Sequence, residues 1–115
     1  MQFTNDPRLD ATFGALAHPI RRDLLVRLER GPATVGELAR PYDVTLMAIS
    51  KHLSVLERAG LVERAQEGRY TRCTLQPAPL LEASAWLADH ARFWVSQFAS
   101  LEEYLGQSTD EDLSQ

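Results

Sequence analysis

The feature that most constrains this chain lies between Thr45 and Leu75, where a strongly amphipathic helix is followed at once by two strand-like runs. Leu46, Ile49, Leu53 and Leu56 recur at helical spacing, Thr45 stands before them as a cap, and Gly60 follows as a stop. Leu61 to Ala65 and Arg69 to Leu75 then read as strands. Between them Gln66-Glu67-Gly68 places a glycine where a hairpin needs a positive φ.

Three shorter helices are expected upstream. Asp6-Pro7 supplies a cap and a first-turn proline, and Leu9, Phe13, Leu16 and Ala17 form an apolar stripe that Pro19 ends, giving a helix over about 8–18. Pro19 itself opens the second, with Ile20, Leu24, Leu25 and Leu28 on one face, Arg22, Asp23, Arg27 and Arg30 on the other, and Gly31-Pro32 as its stop. Thr34-Val35-Gly36-Glu37 fits a reciprocal capping box for a third helix, limited by Pro41 and anchored by Val35 and Leu38. Downstream, Pro77 and Pro79 lead into a long helix over 79–105, whose Leu80, Leu87, Trp94, Phe98, Leu101 and Leu105 repeat at helical spacing before Gly106.

The resulting order, α-α-α-α-β-β-α, is mainly α and is that of a winged helix-turn-helix with a long C-terminal dimerisation helix. One domain over residues 1–106 accounts for the chain, with 107–115 a polar, acidic tail expected to be disordered. No apolar run reaches the ~18 residues of a membrane span. The first residues, Met-Gln-Phe-Thr-Asn-Asp-Pro, lack the pattern of a secretion signal, so a cytoplasmic protein is expected, associated with the nucleoid when on DNA. Cys73 is the only cysteine, which excludes an intrachain disulfide and a thiolate pair for metal.

The net charge of −4 argues globally against a polyanion partner, but charge is segregated. Residues 19–72 carry ten Lys/Arg against seven Asp/Glu, whereas residues 73–115 carry one against seven. The mildly basic middle is where double-stranded DNA would dock. With Ile49 at the core centre, Met47, Ala48, Lys51, Ser54 and Arg58 turn outward, Thr45 and Ser50 lie nearer the flanks, and His52 sits between the faces. Short side chains at the helix start admit close approach to a major groove, with hydroxyls for phosphates or base edges and Met47 or Ala48 for a thymine methyl. Arg64, Arg69 and Arg72 place guanidinium groups around the hairpin for phosphates or a narrow minor groove.

The last helix would run ~40 Å, longer than a domain this small can cover. Trp86, Phe93 and Tyr104 widen its apolar stripe beyond Trp94 and Leu101, so a symmetric homodimer is expected, with Leu9, Phe13 and Leu16 of the first helix contributing. His18, His52 and His90 stand apart in sequence, with no nucleophile or carboxylate in a catalytic pattern beside them, and no phosphate-binding glycine loop occurs. The expectation is a protein that is not an enzyme and has no cofactor. Cys73 alternates with Thr71 and Leu75 and is expected to be buried.

Several motifs together resemble the ArsR family of winged helix-turn-helix transcription regulators over roughly residues 8–105. Leu16-Ala17-His18-Pro19-Ile20-Arg21-Arg22 is similar to its helix-junction motif, Ile49-Ser50-Lys51-His52-Leu53-Ser54-Val55-Leu56 with Ala59-Gly60-Leu61-Val62 to its recognition helix, and Glu67-Gly68-Arg69-Tyr70 to its wing. The resemblance implies a homodimer built from first and last helices, an operator of two-fold symmetry and, usually, repression. It departs at the metal positions. Ala39 and Pro41 stand where metal sensors carry a Cys-x-Cys pair, and Asp89 and His90 are adjacent with no later histidine. In this the chain looks like the metal-independent branch of the family, whose inducer is often unknown. Two alternatives remain: a metal- or ligand-responsive repressor using Asp89, His90, Glu102 and Glu103 between subunits, and a winged-helix protein-interaction module without DNA binding.

Overall fold

The computed structural model describes the backbone of residues 6–113 and the side chains of residues 6–106. Four helices come first: α1 (Pro7–Leu16), α2 (Pro19–Leu28), α3 (Val35–Ala39) and α4 (Leu46–Arg58). Each begins where a side chain satisfies the otherwise unpaired amides of a first helical turn. Asp6 accepts from Arg8 N and Leu9 N, and Thr45 Oγ1 accepts from Ala48 N. The box expected at α3 is complete: Glu37 N donates to Thr34 Oγ1 at 3.1 Å, and Thr34 N donates back to the Glu37 carboxylate at 3.2 Å. The Thr34 hydroxyl, which lies 3.0 Å from the same carboxylate oxygen, and after it the Thr34 amide hold the Glu37 carboxyl below its usual range. The cap of α2 is a histidine, His18, whose Nδ1 accepts from Ile20 N at 3.1 Å.

At the end of α4 the chain turns through Gly60, whose φ of 77° lies in the left-handed region. Gly60 N reaches Glu57 O and Leu61 N reaches Leu56 O, both at 2.9 Å, the paired bonds of a Schellman stop. The wing follows as β2 (Val62–Glu67) and β3 (Tyr70–Leu75) in antiparallel register, with Glu67 opposite Tyr70. Only Gly68 of the two turn residues has positive φ, the pattern of a type II′ turn.

The sheet has a third strand that local pattern did not announce. β1 (Ala33–Thr34) pairs with β3, Ala33 opposite Cys73, so the order is β1-β3-β2. Two residues are too short to show an alternation. Their pairing depends on the hairpin arriving from 40 residues downstream.

The core gathers Leu24, Leu28, Leu38, Ile49, Leu53, Leu56, Leu61 and Cys73, all almost fully buried. Cys73 is buried as expected, and desolvation pushes its thiol pKa up. Leu46 corrects the expected core stripe: it is 57% exposed. Helical side chains lean toward the N-terminus, so a first-turn residue points past the packed layer rather than into it.

The final helix, α5 (Ala78–Leu113), is also longer than the 79–105 expected, running through Gly106. An interior glycine costs about 1 kcal/mol against alanine but keeps its N–H, so with no proline nearby it does not stop a helix. Backbone 107–113 is thus helical, while the tail side chains beyond 106 and residues 114 and 115 lie outside the described residues. The chain forms two units, one through Ala83 and one from Ser84 onward. The described side chains from Ser84 to Gly106 are all exposed, including Phe93, Trp94, Phe98, Leu101 and Tyr104. No helix among the described residues is long and apolar enough to cross a membrane.

Candidate nucleic-acid interface

The outer face of α4 and the wing bound a groove of about 710 Å³, closed on a third side by the start of α3 at Thr34, Val35 and Gly36. Leu46, Met47 and Ser50 line it from α4, and Arg64, Arg69 and Tyr70 from the wing. Its charged lining residues are both arginines. Met47 at 70% and Tyr70 at 64% exposure are large apolar groups open to solvent, the mark of a contact surface rather than a core. Sequence reasoning singled out Met47 and missed Leu46 and Tyr70. The signal for Tyr70 was its place beside the Gly68-Arg69 turn, which only strand register converts into a direction.

The candidate residues of α4 fall into three groups. Met47, Lys51 and Arg58 are exposed on its surface. Thr45 is exposed but its oxygen serves as the cap, and Ala48 is half-buried. Ser50 and Ser54 are half-buried and already engaged: Arg64 donates to Ser50 Oγ at 3.3 Å and to Ser54 Oγ at 2.9 Å, and Ser54 donates to Ser50 O at 3.0 Å. Arg64 also meets Glu57 at 3.0 Å, which holds that carboxyl below its usual range. Of the wing arginines, Arg69 is exposed at the turn, and Arg72 is exposed with Glu67 3.6 Å away.

His52 belongs to a junction that sequence reasoning did not assemble. Arg21 of α2 donates from Nε to Ala15 O at 2.7 Å and from a terminal nitrogen to Gly14 O at 3.1 Å, capping the open carbonyls of α1. Arg22 adds a bond to Leu16 O at 2.7 Å. The other terminal nitrogen of Arg21 lies 3.3 Å from His52 Nδ1. Since a guanidinium only donates, Nδ1 accepts and the His52 proton sits on Nε2. The His18 and His52 rings are 4.3 Å apart, and burial, then the charges of His18 and Arg21, hold the His52 pKa below its ordinary value. The tie joins α1, α2 and α4 at one point.

In α5, considered by itself, the Trp86 and His90 rings stack at 4.2 Å, and His90 donates to Trp86 O at 2.9 Å. Asp89 is held by Arg92 at 2.7 Å. A groove of about 390 Å³ runs along Trp86, Leu87, His90, Trp94, Val95 and Phe98. In α1, Leu9 and Leu16 are half-buried and Phe13 is 37% exposed.

Residues 16–65 match a helix-turn-helix domain family. The HTH-type transcriptional regulator Rv2034 of Mycobacterium tuberculosis is 35% identical over 89% of this chain and 92% of its own length. The transcriptional repressor SdpR of Bacillus subtilis is 27% identical over 69% of this chain and 88% of its own. A crystal structure of an ArsR family transcriptional regulator is similar with a TM-score of 0.74 and 41% identity, covering 82% of this chain and 98% of that one.

Proposed function

The chain belongs to the ArsR family of winged helix-turn-helix transcriptional regulators, which are DNA-binding proteins and not enzymes, and on that premise we propose that it acts as a homodimeric repressor occluding a promoter. The observation that carries this reading is the groove between α4 and the wing, with Arg69 exposed on its lining and the apolar groups of Met47 and Tyr70 exposed beside it. In this reading α4 enters the major groove with Met47, Ala48, Ser50 and Lys51 at base edges and phosphates, Thr45 and Arg58 at its two ends, and Arg69 and Arg72 on the flanking backbone or minor groove.

The homodimer would use the exposed stripe of α5, Trp86, Phe93, Trp94, Leu101 and Tyr104, with Leu9, Phe13 and Leu16 of α1. An apolar stripe of this length gains most from a second copy of itself, because a two-fold axis covers both stripes at once. Two reading helices related by that axis lie about 34 Å apart, so half-sites repeat about one helical turn apart. Control by metal through the family's familiar positions is not part of the proposal, since those positions hold Ala39 and Pro41. The test is fluorescence anisotropy with labelled DNA from upstream of the chain's own gene, against a scrambled duplex, at several salt concentrations. The expected result is binding about a thousandfold tighter to the first and falling steeply with salt. Equal weak binding to both would defeat it and direct attention to protein partners.

A further inference from the structure

Arg64 stands on β2 two residues after Val62, so strand alternation places it on the face that Val62 buries. Its side chain is only 20% exposed and spans from the wing to three successive turns of α4, meeting Ser50, Ser54 and Glu57. A guanidinium with its fork committed to a carboxylate and two hydroxyls has little left to offer a phosphate at the surface. The two hydroxyls are also settled by it. Ser54 spends its proton on Ser50 O and accepts from Arg64. Ser50 accepts from Arg64, so its own proton has to point away from the guanidinium, and Ser50 lines the groove.

We infer that Arg64 is a positioning residue rather than a DNA contact: anchored by Glu57, it straps the wing to α4 and orients Ser50 to meet DNA as a hydrogen-bond donor. The inference rests on the DNA-reading role proposed above and adds to it the chemistry of one operator position. The atom opposite Ser50 is an acceptor: a purine N7, a guanine O6, a thymine O4 or a phosphate oxygen. Swapping Arg64 for a residue without the fork releases the Ser50 hydroxyl to rotate, and the wing loses its tie to the helix.

A double-mutant cycle with a duplex selected by the full-length protein from a random-sequence pool separates this role from direct contact. Ser50→Ala and Arg64→Ala are each expected to weaken binding about tenfold, as one lost polar contact does. The double variant is expected to be little worse than either, with the slope of affinity against salt unchanged. Arg64→Lys, which keeps the charge without the fork, reproduces the loss and stands in if Arg64→Ala is poorly folded. Loss confined to the selected duplex identifies a base edge opposite Ser50, and equal loss on a scrambled duplex a phosphate oxygen. Multiplying losses with a salt slope reduced by about one would mean that Arg64 touches phosphate, and the inference falls. It falls alone if Arg64→Ala leaves binding to the selected duplex unchanged, whereas failure of the unsubstituted protein to enrich any duplex removes the parent reading as well.

Discussion

The stripes of α4 and α5 are both apolar and helical in period, yet they end in opposite environments. Ile49, Leu53 and Leu56 are wholly buried against the other helices and the wing, while Trp94, Phe98 and Leu101 are each at least half exposed. The difference lies in what surrounds them. α4 has the other helices and the sheet within reach along 13 residues, whereas α5 continues for 36. An apolar stripe therefore marks a face that burial would favour, and only the packing tells which stripe is covered within the same chain.

The sharpest break of this comparison is to charge the exposed stripe. Trp94→Asp combined with Leu101→Asp is expected to dissociate the proposed dimer, raising its dissociation constant at least a hundredfold by sedimentation, because buried carboxylates cannot be paired across the two-fold axis. An intact dimer would remove α5 as the interface. Next in size, Leu53→Ala is expected to cost about 3 kcal/mol in urea unfolding through the cavity it leaves. Phe98→Ala at concentrations low enough to hold the monomer should cost less than about 0.5 kcal/mol, since an exposed side chain leaves no cavity. Equal costs would mean that α5 is already packed within one chain.

Smaller effects separate reading from clamping. Lys51→Ala is expected to weaken binding to all sequences and to lower the salt slope by about one, and Met47→Ala to change the preferred bases in a selection experiment. The smallest effect concerns pH. His52 has a folded pKa below its unfolded value, so the unfolded chain binds the proton first as pH falls. The His18–Arg21–His52 junction is thus expected to contribute its full stability above about pH 6.5 and to lose it as pH falls from there toward the lower folded pKa. His52→Gln should flatten that part of the stability profile, read as the urea midpoint between pH 7.5 and 5. An unchanged profile would place the acid sensitivity elsewhere.

The helices were legible where their signals are local. Asp6-Pro7, Thr34 with Glu37, Thr45 and Gly60 each act within four residues of themselves, so reading them needs no knowledge of the rest of the chain. The outward set on α4 was legible by period, but its chemical state was not. Ser50 and Ser54 look like free hydroxyls until Arg64 arrives from β2, ten and more residues on. Arg64 follows Val62 by two residues and so shares its face once Val62 is seen to be buried, yet an arginine in a hairpin strand reads more readily as a surface charge. His52 likewise takes its partner from Arg21, 31 residues earlier.

What this amino-acid sequence determined by itself is the order of the helices and the hairpin, most of the caps and the buried faces of α2 and α4, because capping and periodicity are interactions among near neighbours; α1 instead buries Thr12 and Ala15 rather than its apolar stripe. What only the tertiary structure decided is which polar groups remain available: β1 joining the sheet, Leu46 pointing past the core, Arg21 closing α1 onto His52, and Arg64 turned inward onto α4. Hydrogen-bond partners are set by distances through space, and a side chain's reach of a few ångström spans tens of residues along the chain once the core has closed.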